Sequence, residues 1–254
     1  MRRIAVVLLS GGLDSTTVAA YAGKQGYELK AITIYYGQRH SVEVASAGKV
    51  AERLGIELQF VDISFFRQIA WYSALTSPQN FGLPKGRSEG DMTKEIPLSY
   101  VPLRNTLFLT VAAALLESEA LNLIETEKLA PNELEAAIFI AANSIDYSGY
   151  PDCRPEYFGK MAQALFEGSK LGKYYGRPIN IETPIILKTK AEIVKLAMEL
   201  EAPLEYTWSC YEGGEVPCGT CDSCILRAKG FVEAGYEDPL LVRLRREGRL
   251  AKGK

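Results

Sequence analysis

The run RRIAVVLLSGGLDSTTVAAYAGKQ, residues 2–25, constrains this chain more than any other stretch. Arg3 to Leu9 is almost continuously apolar, the pattern of a strand covered on both faces, and Asp14 to Gln25 follows with alanine-rich helical composition. Between them lies SGGLDS, whose two glycines let the backbone curl so that N–H groups face an anion at a helix N-terminus. The alternation continues. AITIYYG (31–37) and LQFVDIS (58–64) read as strands, and the helix between them places Val44, Ala47, Ala51 and Leu54 on one face behind a Ser41 cap. Residues 104–120 predict a long helix, AAIFIAAN (136–143) and INIETP (179–184) further strands, and LKTKAEIVKLAMEL (187–200) a helix with Thr189 and Glu192 in capping-box spacing. Such alternation predicts an α/β fold, a Rossmann-like parallel sheet flanked by helices. Residues 71–98 form the longest stretch without a period and read as a lid or binding loop, and the turn-rich 145–158 follows a strand's C-terminal end, where open α/β sheets bind ligands.

With 254 residues, 47% of them hydrophobic, there is room for one large domain, taken as residues 1–205, and a small segment over 206–254. A net charge of −2 supplies no broad field for a polynucleotide, so no stable nucleic-acid partner is expected. The N-terminal arginines and short apolar run pass straight into the glycine loop, which argues against a signal peptide, and no apolar stretch is read as approaching membrane-spanning length. A cytoplasmic protein without a membrane partner is the expectation. Four of the five cysteines, Cys210, Cys218, Cys221 and Cys224, read C-x7-C-x2-C-x2-C, which in a reducing compartment points to metal rather than disulfides. Four thiolates make a closed tetrahedral shell, so one structural zinc ion per chain is expected, with an iron–sulfur cluster as the competitor. The basic tail VRLRREGRLAKGK (242–254) reads as a solvated, frayed terminus rather than an RNA-binding arm.

SGGLDS carries neither the GK[ST] of a Walker loop nor a GxGxxG fingerprint. Ser10 and Ser15 add hydroxyl donors, and Asp14 is placed to hold Mg2+ against phosphate oxygens. The alternative is an ordinary strand-to-helix turn capped by Asp14 or Ser15. The stretch resembles the PP-loop of the ATP-pyrophosphatase superfamily, which implies an adenine nucleotide alpha-hydrolase-like fold and ATP cleavage between the α and β phosphates. Leu8, Leu9, Ser10, Gly11, Gly12, Leu13, Asp14, Ser15 and Thr16 are the nucleotide-binding residues so implied.

YYGQRH (35–40), YVPLRN (100–105), DYSGYPDCRPEYF (146–158), LKTKAEIV (187–194) and SCY with CGTCDSC (209–224) together resemble the 7-cyano-7-deazaguanine synthase family over nearly the whole chain. The resemblance implies an ATP-dependent C–N ligase that converts 7-carboxy-7-deazaguanine and ammonia to the 7-cyano base, and a homodimer. Lys190 is the candidate charge partner of phosphate or pyrophosphate, against a solvated first-turn lysine. Arg39 and Arg104 suit the substrate carboxylate or a phosphate, against surface ion pairs. Asp146 suits the guanine-like N1–H and amino group, against an Asx-turn, and Tyr147, Tyr150 and Arg154 line the same pocket in this reading. Catalytic roles fall to Asp14, Ser15, Lys190 and Arg104. Cys153 reads as a pocket-wall thiol, not a nucleophile. Leu103 stands where the family pattern has a small residue, and is expected to reshape the pocket wall near Arg104; Ala141 and Ala142 replace a glycine near a strand end. Two rivals stay open: a PP-loop tRNA-modifying enzyme such as a thiolase, and a non-enzymatic nucleotide-binding regulator.

Overall fold

The computed structural model describes residues 1–37, 42–82, 96, 98–145 and 150–250. Five strands, β1 (Arg2–Leu8), β2 (Glu28–Tyr35), β3 (Glu57–Asp62), β4 (Leu134–Phe139) and β5 (Ile179–Glu182), form one parallel sheet in the order β3-β2-β1-β4-β5. The chain runs outward from β1 through β2 to β3, then returns to place β4 on the other side of β1. Between β1 and β4 the direction of winding reverses, and such a switch point opens a crevice at the C-terminal strand ends.

The helices are α1 (Leu13–Lys24), α2 (Val42–Leu54), the single turn α3 (Phe66–Ile69), α4 (Arg104–Leu121), α5 (Pro155–Gly168), α6 (Lys170–Lys173), α7 (Lys190–Glu199), α8 (Asp222–Ala234) and α9 (Pro239–Arg246). Strand periodicity assigns each side chain of the central strands to a layer. Ile4, Val6 and Leu8 of β1, with Leu134, Ala136 and Ile138 of β4, pack with Leu109, Ala112 and Leu116 of α4 and Phe158 of α5. The alternate residues, Ala5 and Val7 with Ala137 and Phe139, pack on the opposite face with Val18 of α1, Val50 of α2, Ile193 of α7 and Phe231 of α8. Both faces of β1 are therefore covered, which explains its unbroken apolar run.

Several expectations are met in detail. The Thr189/Glu192 capping box forms at the start of α7, with Glu192 N–H donating to Thr189 Oγ1 at 3.3 Å and Thr189 N–H to Glu192 at 2.7 Å. Others are corrected. In α2 the expected Ala47 and Ala51 are buried and Leu54 packs partly buried against the core, with Ser46 and Val50 added to the buried face, while Val44 lines a cavity instead. The turn-rich reading of 145–158 stops too late, because Pro155 begins α5. Arg104–Thr126, which continues α4 by a π turn, does have the length and mean hydropathy (23 residues, 1.6) of a membrane span. Here that apolarity is consumed by the sheet, since Leu109, Leu116, Leu123 and Ile124 all lie in the first core layer. The tail is not frayed up to residue 250: Leu244 is buried, and Arg243 donates to the Glu205 carbonyl at 2.7 Å while lying over the Tyr206 ring. Residues 251–254 lie outside the described residues.

Candidate functional site

Leu8 ends β1, and the chain turns through Ser10–Gly12 into α1. Gly11 has φ +83°, and a Cβ there would stand 2.5 Å from Ala47 N and 2.6 Å from the Glu43 carbonyl oxygen, so only glycine lets α2 close on the loop. Gly12 is the N-cap of α1 and receives no side-chain cap, so neither Asp14 nor Ser15 plays the capping role. Ser15 Oγ instead accepts from Ser10 N–H at 3.2 Å, lies 3.0 Å from Ser10 Oγ and donates to the Gly12 carbonyl at 3.2 Å. These bonds set the loop's curvature at the start of α1.

Two cavities meet at this loop and share Ser10, Asp14, Ser15, Glu43, Ala141 and Tyr211. The larger, about 270 Å³, sits at the β1/β4 switch point and runs between strand-end residues such as Ile34 and Ala142 toward Arg104, Phe108 and Tyr150. The smaller, about 180 Å³, lies on the α1 side and adds Gly12, Leu13, Lys190, Ser209 and Arg227. Lys190 reaches across from α7 and donates to both carboxylate oxygens of Asp14, at 2.9 and 2.8 Å, with its side chain only 12% exposed. The structure therefore brings Lys190 to the loop, and does so through Asp14. Asn143 steadies the approach to α7, because its amide donates to the Ile185 and Lys188 carbonyls at 3.0 and 2.7 Å.

Arg104 is the half-buried cation that lines the larger cavity, 5.9 Å from the centroids of both Tyr36 and Phe108. Burial opposes its charge, yet Tyr36, Tyr150 and Asp152 outweigh burial and hold its pKa above the ordinary value, so it stays protonated. Burial in turn pushes Asp152 and Tyr36 upward, with Arg104 opposing both shifts. Tyr150 is buried, its hydroxyl 2.9 Å from Ser99 Oγ. Cys153 is a buried wall thiol pushed up to about 11 by burial, which makes it a poor nucleophile at neutral pH.

Not every expected residue joins the site. Arg154 is exposed and lines neither cavity: it is the N-cap of α5, where its extended backbone turns the side chain outward. Thr16 is fully buried beneath the loop, its hydroxyl without a partner, and Gly11 acts through its backbone. Leu103 is corrected as well. Its side chain is 64% exposed and does not line the cavity; what distinguishes the position is φ +54°, a left-handed backbone that favours glycine. Arg39, Asp146 and Tyr147 lie outside the described residues. Tyr36, Phe108, Tyr211 and Arg227 were not singled out from sequence. Tyr36 had a signal, since it directly follows β2 at the ligand-binding edge; Arg227 had none, because it arrives from a distant helix.

The cysteine segment forms part of the same wall. Cys210, Cys218, Cys221 and Cys224 have their sulfurs within 4.8 Å of one another, and all are free thiols. A tetrahedral shell with sulfur about 2.3 Å from its ion spaces the sulfurs by about 3.8 Å, and Cys218 Sγ lies 4.0 Å from Cys224 Sγ. Backbone N–H groups of Cys218 and Cys221 point at Cys210 Sγ and Cys218 Sγ, at 3.3 and 3.4 Å, as donors that steady thiolates. The cluster can hold a metal ion. It is joined to the loop directly: Trp208 N–H donates to the Gly11 carbonyl at 2.8 Å, and the Trp208 indole donates to the Cys210 carbonyl at 3.1 Å.

A parallel sheet with a β1/β4 switch point, a glycine-turned SGGLDS loop opening a helix and a lysine from α7 on the loop's aspartate define a doubly wound α/β protein with its site at the switch point. Residues 4–235 match the family of the queuosine biosynthesis protein QueC, and the chain belongs to that family. It is 49% identical over 239 residues to the 7-cyano-7-deazaguanine synthase of Thermoplasma acidophilum, covering 94% of this chain and 92% of that one. The 7-cyano-7-deazaguanine synthases of Thermoplasma volcanium and a Nostoc species are 48% and 45% identical, covering 94% and 93% of this chain and 91% and 96% of their own lengths.

Proposed function

We propose that the chain uses ATP to convert 7-carboxy-7-deazaguanine and ammonia to 7-cyano-7-deazaguanine, in the cytoplasm and as a homodimer. The observation that carries this reading is the cavity at the β1/β4 switch point, which joins the SGGLDS loop to a half-buried arginine and an aromatic wall in one space of about 270 Å³. The near-complete coverage of the synthases supports the choice of substrate.

A carboxylate is a poor electrophile because its leaving group is oxide. In this reading its oxygen attacks the α-phosphorus of ATP, pyrophosphate departs, and ammonia then attacks the carbonyl carbon, loses a proton and displaces AMP to leave an amide. A second activation of the same kind on the amide oxygen, with loss of the remaining N–H protons and a second AMP, gives the nitrile. Both activations place growing negative charge at the same oxygens, so one fixed set of donors serves twice.

Ser10, Gly11, Gly12 and Ser15 hold the phosphates against the start of α1, and Lys190 carries charge to the departing pyrophosphate. Arg104 faces the substrate carboxylate from within the apolar wall, where a guanidinium fork is worth more than in water. Asp146 takes the guanine-like edge of the base, with Tyr147 and Tyr150 beside it and Arg39 toward the carboxylate or phosphates; this part rests on the family resemblance. Asp14 is the residue to hold a magnesium ion, which would supply charge neutralisation for the pyrophosphate. The four thiolates suit zinc, whose role in a closed shell is structural. Residues 206–254 then act as a wall of the nucleotide site.

The test is incubation of metal-replete protein with Mg-ATP, ammonium and the 7-carboxy base, following the base by mass and the nucleotide by chromatography. Nitrile with AMP and pyrophosphate is expected. Nitrile with ADP refutes the cleavage site alone, and substrate-independent ATP loss or no product from folded protein refutes the assignment.

A further inference from the structure

Helix α8 lies against α7 at a point where it has no side chain. A Cβ built on Gly230 would stand 2.4 Å from Lys190 Cγ, 3.0 Å from Lys190 Cβ and 3.3 Å from its backbone carbonyl carbon. The neighbour there is the root of the lysine that reaches Asp14, not an apolar core residue. One turn earlier on α8, Arg227 lines the same small cavity as Lys190 and Asp14. Its guanidinium is fixed by Asp238 at 2.6 and 2.9 Å and by Ser209 Oγ at 3.1 Å, so this face of α8 is held firmly where it meets the loop.

A lysine ammonium rides on four rotatable bonds, and anchoring it only at its tip leaves the stem free to wander once the tip changes partner. In the reading above that change has to occur, because phosphate competes for the ammonium with Asp14, whose carboxylate it meets at 2.9 and 2.8 Å. A helix pressed against Cβ and Cγ restricts the first torsions whatever the ammonium touches. We propose that Gly230 is a positioning residue for Lys190: its missing side chain lets α8 close on the lysine stem and keep the ammonium within reach of both Asp14 and the phosphates. The proposal rests on the reading that Lys190 serves the nucleotide's phosphates. It assigns a part in that chemistry to a helix residue outside every motif on which the family resemblance stands.

Gly230→Ala, Lys190→Ala and the double variant separate the two ideas, read as kcat/KM for ATP at saturating base and ammonium, with thermal melting as the control for folding. Lys190→Ala is expected to lower kcat/KM by roughly thirtyfold, the loss of one charge-assisted contact. Gly230→Ala is expected to lower it by about tenfold in folded protein, mainly through the KM for ATP. The double variant should be no worse than Lys190→Ala alone, because Lys190 Cγ, the atom met at 2.4 Å, is gone together with the ammonium it positions. Losses that multiply in the double variant, or a Gly230→Ala value within about twofold of the parent, overturn the proposal. Lys190→Ala with unchanged kcat/KM removes the phosphate reading of that lysine and the proposal with it. Full loss with Lys190→Ala but none with Gly230→Ala leaves the phosphate reading standing and refutes only the positioning role. Should Gly230→Ala fail to fold, a melting transition regained in the double variant supports the contact, and its continued absence refutes it.

Discussion

Stripping the metal from the cysteine cluster should weaken ATP binding before it unfolds the sheet. The four sulfurs are held together by short loops, so without an ion the like-charged or mutually desolvated thiols have no reason to converge, and the segment from Trp208 to Cys224 loosens. Two contacts are released with it: the Trp208 indole, only 4% exposed, and the 2.8 Å bond from Trp208 N–H to the Gly11 carbonyl. A neutral backbone hydrogen bond is worth about 1 kcal/mol net, which converts to about fivefold in the KM for ATP if its whole value goes into shaping the loop. Both core layers of the sheet are made of other residues, so the main melting transition should persist. The assay is tryptophan emission in a Trp71→Phe background, which removes the 54% exposed Trp71 and leaves Trp208 as the reporter, combined with the KM for ATP. A red shift on chelation, a KM rise of about fivefold and recovery of both on adding zinc are expected. Complete metal removal with unshifted emission and unchanged KM would refute the coupling; red-shifted emission with unchanged KM would show that Gly11 does not need Trp208.

Three further outcomes follow from single positions. Arg104→Lys keeps a charge but loses the planar fork beside Tyr36 and Phe108, so kcat/KM for the carboxylate substrate should fall by about a hundredfold with Tm little changed; a loss confined to Tm would make Arg104 a structural cation. Leu103→Gly should raise stability by up to about 1 kcal/mol, the left-handed penalty of about 1–2 kcal/mol less the greater entropy cost of ordering glycine, read as an upward shift of the denaturant midpoint. Glu135, paired with Arg3 at 2.9 Å and hydrogen-bonded by Tyr27, has its pKa held below its ordinary value, first by Arg3 and then by Tyr27. A depressed folded-state pKa gives stability that is present above the unfolded value and is lost as pH falls through the folded one. Glu135→Gln should therefore flatten the acid limb of stability below about pH 4.5, and an unchanged limb would remove this pair as its source.

What was legible in the sequence is what local patterning alone determines. The strands of the sheet, α1, α4 and the capped α7 carry their period or cap within a few residues, and the cysteine spacing names its own partners. Legibility failed where a residue's environment is set by a distant element. Leu244 looks like a lone apolar residue among the arginines of a basic tail until a third cluster around Trp208 and Cys221 covers it. Arg104–Thr126 and a membrane span share one composition, and only the facing strands distinguish them. Arg154 and Leu103 sit inside motifs, yet one is turned to solvent and the other matters for its backbone.

The same distinction separates the parts of the site. SGGLDS has a shape that follows from its own glycines and serines, but its charge balance is assembled from afar: Lys190 from α7, steadied through the Asn143 turn after β4, and Arg227 and Gly230 from α8. Lys190 pairs with Asp14, so the loop carries an ion pair rather than a bare carboxylate. In the proposed reading phosphate competes with Asp14 for Lys190, and a magnesium ion bound with the nucleotide would take the carboxylate thus released. An arrangement of this kind favours a phosphate–metal pair over either ion alone, because each removes one half of an existing contact and leaves the other half for its companion. In that reading phosphate selectivity is a property of two helices and a cysteine-bearing wall acting on a six-residue loop, and not of the loop by itself.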